Sequence, residues 1–157
     1  MTTYQTFAVG PAGHHVQDTP FRSDAIDILL GSPDVAKKGS DLEYKVKMKA
    51  GDSLVYSFTV SGLSDPQKLH FDLHGESPTD PLTGTARVAE YVKGNAAQAH
   101  GSMTAPMDGV HGWYLKNLSA APILVHLRLG GFYELVPPGE YGNQAAIVAN
   151  VPKSLSP

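Results

Sequence analysis

The amino-acid sequence predicts an all-β protein, folded as an antiparallel β-sandwich or jelly roll. Apolar and polar residues alternate with a period of two over several short runs, as in strands that bury one face. No window shows a sustained helical period with capping residues at its ends. The 157 residues suit one domain, and the 41% hydrophobic and 17% charged composition is that of an ordinary globular protein.

Three strands are predicted in the first half of the chain. AIDILL, near residue 25, is the first. In LEYKVKM, over 42–48, the apolar residues face one way and Glu43, Lys45 and Lys47 face the other. SLVYSFTVS, over 53–61, alternates in the same manner. Because the short turn AGD joins these two runs, we expect them to form a β-hairpin.

Four more strands are predicted from residue 69 onward. LHFDLH, over 69–74, alternates strictly, and ARVAEYV near residue 86 is a further strand, with a short helix over AEYVKG as the alternative. HGWYLKN and ILVHLRL are joined by LSAAP, so a second hairpin is expected there. The phrase GGF at 130–132 indicates a bulge or a strand end.

The ends of the chain have a different character from the middle. Residues 1–22 and 137–157 are rich in proline and glycine and have little periodicity, so neither can form a core alone. The predicted organisation is an extended N-terminal arm over 1–22, a β-sandwich over 23–136 and an extended C-terminal arm over 137–157. Such arms lie on their own domain or on a neighbour, which indicates a protein partner or a homo-oligomer.

Composition excludes several classes of partner and site. The net charge of −3 gives no reason to expect nucleic acid as a ligand. Without cysteine there are no disulfides and no thiolate ligands. No apolar run is long enough to span a bilayer, so we expect no transmembrane segment. No signal peptide is visible either, which leaves a cytoplasmic location open.

The histidines provide the clearest candidate for chemistry. His70, Asp72 and His74 share one face of a strand, and two imidazoles with a carboxylate suit copper or zinc. His111, or His100, would complete the set. The competing and commoner interpretation is that the exposed face of a half-buried strand simply carries polar residues.

No other catalytic constellation is predicted, so we expect no enzyme. Serines are plentiful, but none lies in a GxSxG phrase between a strand and a helix. Trp113 and Tyr114 point to opposite faces of their strand, so one belongs to the core and the other is free for contact. Together with Phe132 and Tyr133 they are the predicted interaction residues.

Several phrases, taken in order, resemble one family. FRSDAIDILL, LEYKVKMKAGDSLVYSFTVSG, FDLHGE, GSMTAPMDGVHGWYLKN and the strand through GGFY are similar to bacterial transmembrane anchor proteins with a GOLD-like β-sandwich domain. The resemblance covers about residues 21–134. The matching positions are His74, Gly75, Glu76, Gly109, His111, Gly112, Trp113, Tyr114, Asn117, Gly131, Phe132 and Tyr133.

The resemblance implies a sandwich that serves interaction at a membrane surface, with no cofactor. The chain departs from the family in lacking its membrane helix and Ala/Pro-rich linker, and in having Leu115 where a second tryptophan is expected. We therefore expect an accessory subunit that docks through its arms on a membrane-associated complex, on the periplasmic side. A histidine-based copper or zinc module is the alternative.

Overall fold

The computed structural model describes residues 1–33 and 39–155. Within them lie the strands β1 (Phe21–Leu30), β2 (Asp41–Met48), β3 (Ser53–Ser61), β4 (Leu69–Glu76), β5 (Val88–Asn95), β6 (Gln98–Thr104), β7 (Gly109–Asn117), β8 (Ile123–Phe132) and β9 (Glu134–Leu135). Two short 3₁₀ turns, Pro11–Gly13 and Pro66–Lys68, are the helical elements of this part of the chain.

The strands form two antiparallel sheets. The first sheet has the order β1-β8-β3-β6, and the second has the order β5-β4-β7-β2-β9. The predicted all-β antiparallel sandwich is therefore confirmed, while the jelly-roll connection and the GOLD-like likeness stay predictions. The described residues include no helix that is long and apolar enough to cross a bilayer.

The core lies between the two sheets and follows the alternation in the sequence. Ile26 and Ile28 of β1 and Phe58 of β3 are buried from the first sheet, and Trp113 of β7 is buried from the second. The rings of Tyr56 and Trp113 meet edge to face across the sandwich, with centroids 5.3 Å apart. Side chains from both inner faces thus form one contiguous core.

Both predicted hairpins are wrong. β2 and β7 belong to the second sheet, whereas the strands that follow them, β3 and β8, belong to the first. Alternation shows which residues face the core, but a short turn at the edge of a sandwich can equally carry the chain to the opposite sheet. The turn after β2 does this, and its Gly51 (φ 88°) donates a backbone hydrogen bond of 2.8 Å to Ala105 O.

The remaining strand predictions are confirmed, with AIDILL in β1 and LHFDLH in β4, whereas β6 and the two-residue β9 were missed. ARVAEYV contributes to β5, so the helical alternative for AEYVKG is excluded. β6 was not predicted, because QAHGSMT buries only Met103 of its larger side chains. β6 lies at the edge of the first sheet, where it pairs with β3. A strand in this place can form without alternating apolar and polar residues.

The N-terminal arm leaves the sandwich almost at once. Thr19 Oγ donates a 2.6 Å hydrogen bond to Asp52 Oδ2, and Gln17 bonds Gly51 O. Residues 1–16 before that attachment are all exposed. The arm therefore makes no core contact with its own domain.

The C-terminal arm behaves differently, because it packs on the sandwich. Asn143 is fully buried, and its amide bonds Val136 O at 3.1 Å and Ile147 O at 2.9 Å. Further along, Asn150 N donates to Ala25 O of β1 at 2.6 Å. The arm thus begins beside the second sheet and ends on the edge of the first.

Candidate functional site: a buried lysine between two glutamates and a histidine

The site lies on the outer face of the second sheet, where three neighbouring strands place Lys45, Gly112 and His74 in one row. Gly112 has no side chain, so the side chains of Lys45 and His74 can approach over it. A Cβ at Gly112 would lie only 2.3 Å from Tyr44 O and 2.7 Å from Lys45 Cα. The glycine of HGWY is therefore required by the close approach of β2 and β7.

Lys45 is the unusual member of the row. Its side chain is 0% exposed, and its Nζ lies 2.9 Å from Glu43 Oε2 and 3.5 Å from Glu76 Oε1. Burying an unpaired ammonium ion costs roughly several kcal/mol. The carboxylates of Glu43 and Glu76 offset this cost for Lys45. The prediction that Lys45 points away from the core is right, but the face that it points to is covered.

His74 completes the cluster from β4. Its Nε2 lies 3.4 Å from Glu43 Oε1 and 3.7 Å from Glu76 Oε1. Its Nδ1 lies 3.4 Å from Asp72 Oδ1, but the contact lacks hydrogen-bond geometry, and this buried atom has no hydrogen-bond partner among the described residues. A largely buried imidazole with one unpartnered nitrogen is an available ligand or proton acceptor.

The C-terminal arm forms the lid of this site. Lys45 N donates a 2.8 Å hydrogen bond to Gly142 O, and the Tyr141 hydroxyl donates to Glu76 Oε2. Burial raises the pKa of Glu76, but the Tyr141 hydrogen bond and the Lys45 charge outweigh it, so that pKa is lowered. The same hydrogen bond raises the pKa of Tyr141 to about 12. Glu76 is therefore ionised at neutral pH and Tyr141 is not.

Three of these side chains form a possible cation site. One ligand atom each from Glu43, His74 and Glu76 lies within 4.8 Å of the others. Ligands of a tetrahedral zinc ion lie about 3.3–3.4 Å apart when the bonds are about 2.0–2.1 Å. The 3.4 and 3.7 Å contacts of His74 are close to that spacing. The Lys45 ammonium shares the same carboxylates, so a metal ion would have to compete with it.

The predicted ligand set of His70, Asp72, His74 and His111 is not brought together. The two His-Gly phrases run antiparallel, so His74 lies opposite Gly112 and His111 lies opposite Gly75, on the other face of the sheet. His111 is fully buried, with Nδ1 2.8 Å from the Tyr91 hydroxyl and Nε2 3.0 Å from Met107 O. Burial also lowers the pKa of His111. It is a neutral core histidine that joins strand β5 to the β6–β7 loop, not a ligand.

The other two members have separate roles. His70 Nδ1 pairs with Asn95 Oδ1 at 2.8 Å, and Asp72 touches the cluster through its long contact with His74. Glu76 could have been found as the next residue on the His74 face, two positions along the strand. Glu43 could not, because its role depends on which strands are neighbours.

Two of the predicted interaction residues are corrected by their burial. Trp113 and Tyr133 are each only 1% exposed, and Tyr133 donates a 2.7 Å hydrogen bond to Asp24 Oδ2. Both belong to the core, since their large rings fill the space between the sheets. Tyr114 and Phe132 are partly exposed and stay candidates, and Trp113 and Tyr114 do point to opposite faces, as predicted.

A cavity of about 440 Å³ adjoins the cluster, below the lid. Glu76 and Tyr141 line it, together with the apolar side chains of Met48, Val110 and Pro78. Thr19, where the N-terminal arm attaches, lies at the same cavity. The carboxylate of Glu76 is thus reachable by a small ligand or a partner side chain.

Comparisons with known proteins give little further information. No protein-family model matches the chain, and no curated protein matches it. Among solved structures, the IMPa metallopeptidase in complex with T-antigen is 13% identical with a TM-score of 0.41, and IMPa from Pseudomonas aeruginosa in complex with an O-glycopeptide is 14% identical with a TM-score of 0.35. Each match covers 82% of this chain but only 15% of the other. At TM-scores below 0.5, neither a shared fold nor a shared function follows from these matches.

Proposed function

We propose that this protein is a β-sandwich accessory subunit with a non-enzymatic docking role: it binds a larger, membrane-associated protein complex through its N-terminal arm. The observation that supports the proposal is the composition of the exposed arm. Tyr4 is 90% exposed, Phe7 77% and Val16 75%, and Val9 is exposed to a similar degree. Apolar side chains that no part of their own domain covers mark a surface for a partner.

The free energies of burying and of ordering the N-terminal arm restrict how it can bind a partner. Burying Tyr4, Phe7 and Val9 would contribute roughly 1.5–3 kcal/mol each. Ordering the six residues of this segment costs about 1–2 kcal/mol per residue. Because the two sums are similar, apolar burial alone does not hold the arm. The partner must also satisfy its backbone, as the edge of a β-sheet does when it accepts an added strand.

The packing of the C-terminal arm restricts the proposed docking on a partner to the N-terminal arm. The C-terminal arm covers Lys45 and buries Asn143, so its inner side is already occupied by its own domain. The docking proposal therefore rests on residues 1–16. The association with a membrane, and its periplasmic side, rest on the family resemblance alone and stay proposals.

A triple variant of the arm tests the docking role. Tyr4→Ser, Phe7→Ser and Val9→Ser together should reduce recovery of a specific membrane-complex protein at least tenfold, in cross-linking pull-downs from solubilised membranes. Leu82→Ser is the matched control, because Leu82 is 93% exposed but lies in the β4–β5 loop. Equal recovery of every membrane protein by the triple variant and the control would refute the proposal.

A metal-binding module is the second candidate, favoured by the spacing of Glu43, His74 and Glu76. Titration with zinc or copper(II) should give one ion per chain, and the ion should raise the melting temperature. His74→Ala should abolish both effects. His70→Ala, a change on the same face of the same strand but outside the cluster, should preserve them. Absence of stoichiometric binding by the unmodified protein excludes this candidate.

A further inference from the structure

On the outer face of the first sheet, three adjacent strands bring a serine, a histidine and an aspartate into one hydrogen-bonded chain. Ser61 Oγ lies 2.9 Å from His126 Nε2, and His126 Nδ1 lies 2.9 Å from Asp27 Oδ1. The strands β3, β8 and β1 that carry these residues are neighbours in the sheet. His126 lies directly opposite Asp27, and Ser61 lies two residues beyond its opposite position on β3.

The hydrogen-bond partners determine the tautomer of His126. A carboxylate can only accept, so the nitrogen that faces Asp27 carries the hydrogen. In the neutral imidazole the lone pair then lies on Nε2, which faces Ser61. The serine hydroxyl must donate to it, and this is the direction in which a histidine removes a proton from a nucleophile.

Asp27 is itself held in place. Its Oδ2 accepts a 2.8 Å hydrogen bond from the backbone of Lys153, in the C-terminal arm, and the residue is buried. Burial raises the pKa of Asp27, but the Lys153 and His126 hydrogen bonds outweigh it and leave the pKa lowered. The carboxylate is therefore ionised and fixed in orientation when it meets the imidazole.

At the other end of this series of hydrogen bonds, the side chain of Ser61 is accessible to solvent. It is exposed at the last position of β3, next to Gly62, whose φ of 85° turns the backbone away from the strand. The side chain of Leu155 lies over Gly62, so that a Cβ there would come within 2.7 Å of Leu155 Cδ1. A group that reaches the serine oxygen thus approaches from solvent, next to a glycine that the apolar side chain of Leu155 covers.

We propose that Ser61 is an activated nucleophile that accepts the acyl group of small carboxylic esters, with His126 as its general base and Asp27 as a positioning residue. This activity is separate from docking and goes beyond it. Ser61 Oγ forms a bond to the carbonyl carbon while its proton passes to His126 Nε2. The bond from that carbon to the alcohol oxygen then breaks, and the leaving alcohol takes the proton from His126.

The cycle closes with water. A water molecule attacks the acyl carbon and gives a proton to His126 Nε2, and the bond to Ser61 Oγ breaks. Ser61 regains its proton from His126, and the products are one alcohol and one carboxylic acid. No oxidant, reductant or further reactant is needed.

Labelling with a fluorophosphonate probe tests the proposal on the full-length protein. Intact mass and peptide mapping should place the label on Ser61, and 4-nitrophenyl acetate should release nitrophenol with Ser61 acetylated in between. Ser61→Ala should remove both signals. Ser57→Ala is the matched control, since Ser57 is exposed on the same face of the same strand, opposite Arg128, whereas His126 Nε2 is bonded to Ser61. Its labelling rate should be that of the unmodified protein.

Asp27→Asn distinguishes a catalytic role of the Ser61–His126–Asp27 hydrogen bonds from a merely structural one. An asparagine can still accept the Lys153 hydrogen bond, but its NH₂ group donates to His126 Nδ1, which leaves a hydrogen on Nε2 facing Ser61. Labelling should fall about 100-fold, the contribution of a general base, while the melting transition persists. His126→Gln should reduce it as much. Labelling of Ser61 that is no faster than in the urea-unfolded protein, or that is unchanged in Asp27→Asn and His126→Gln, overturns the proposal.

Discussion

Replacing Gly75 with alanine should destabilise this sandwich far more than the loss of a glycine in a strand usually would. A Cβ at Gly75 would lie 2.0 Å from His111 Nδ1 and 2.5 Å from His111 Cε1. The imidazole is fully buried and held on both nitrogens, by Tyr91 and Met107. It cannot move aside without breaking both of these hydrogen bonds.

The expected cost follows from two contributions. Overpacking a core by one methyl group costs about 1–3 kcal/mol. Displacing the ring also breaks two hydrogen bonds, at about 0.5–1.5 kcal/mol each. The free energy of unfolding should therefore fall by about 2–6 kcal/mol. For a domain of this size the melting temperature should decrease by roughly 10 °C, since about 2–4 °C corresponds to 1 kcal/mol.

Urea unfolding followed by the fluorescence of Trp113, the single tryptophan, measures the change. Gly94→Ala in β5 is the control, because a Cβ there would lie 3.5 Å from Phe71 Cζ, an ordinary contact. Its effect should stay below about 1 kcal/mol. In a His111→Ala background, Gly75→Ala should cost little, because the ring that it strikes is gone.

The double-mutant comparison also provides the refutation. If Gly75→Ala costs the same with and without His111, the clash is not the cause of the instability. A loss below 1 kcal/mol for Gly75→Ala in the unmodified protein would equally contradict the packing argument.

Two further predictions concern the C-terminal arm and pH. Asn143→Ala should lower the free energy of unfolding by about 2–4 kcal/mol in urea melts, because it removes the amide that donates to the carbonyls of Val136 and Ile147. Full stability of this variant would show that the arm does not need its buried amide. The hydrogen bond from Arg22 lowers the pKa of Asp24 to about 2 from 3.8. A lowered folded-state pKa contributes stability that is present above pH 3.8 and is lost as the pH falls through about 2. Asp24→Asn should therefore flatten the stability profile between these pH values, and an unchanged slope in acid melts would contradict the assignment.

Much of the candidate site could be inferred locally, and the rest could not. Period-two spacing places His74 and Glu76 on one face of β4, and Glu43 and Lys45 on one face of β2. Nothing in the spacing shows that β7 lies between these strands with a glycine at the crossing point. That neighbour relation, together with the lid formed by Tyr141 and its arm, turns separate polar residues into one cluster.

The chain Ser61–His126–Asp27 shows the limit more sharply. Asp27 and Ser61 are 34 positions apart in the sequence, and Asp27 and His126 are 99 positions apart. No phrase around any of them resembles a nucleophile motif, and the sequence predicts no such constellation. Only the adjacency of β3, β8 and β1 brings them into contact.

By itself, the sequence determined the fold class, most of the strands and which side of each strand is buried. Those properties follow from the alternation of side chains along a single strand, which is a local property of extended backbone. The tertiary structure decided which sheet each strand joins, that the HG phrases put His74 and His111 on opposite faces, and that the C-terminal arm buries Lys45. These outcomes depend on pairing between distant segments, and the free energy of such pairing comes from contacts that no local pattern of residues encodes.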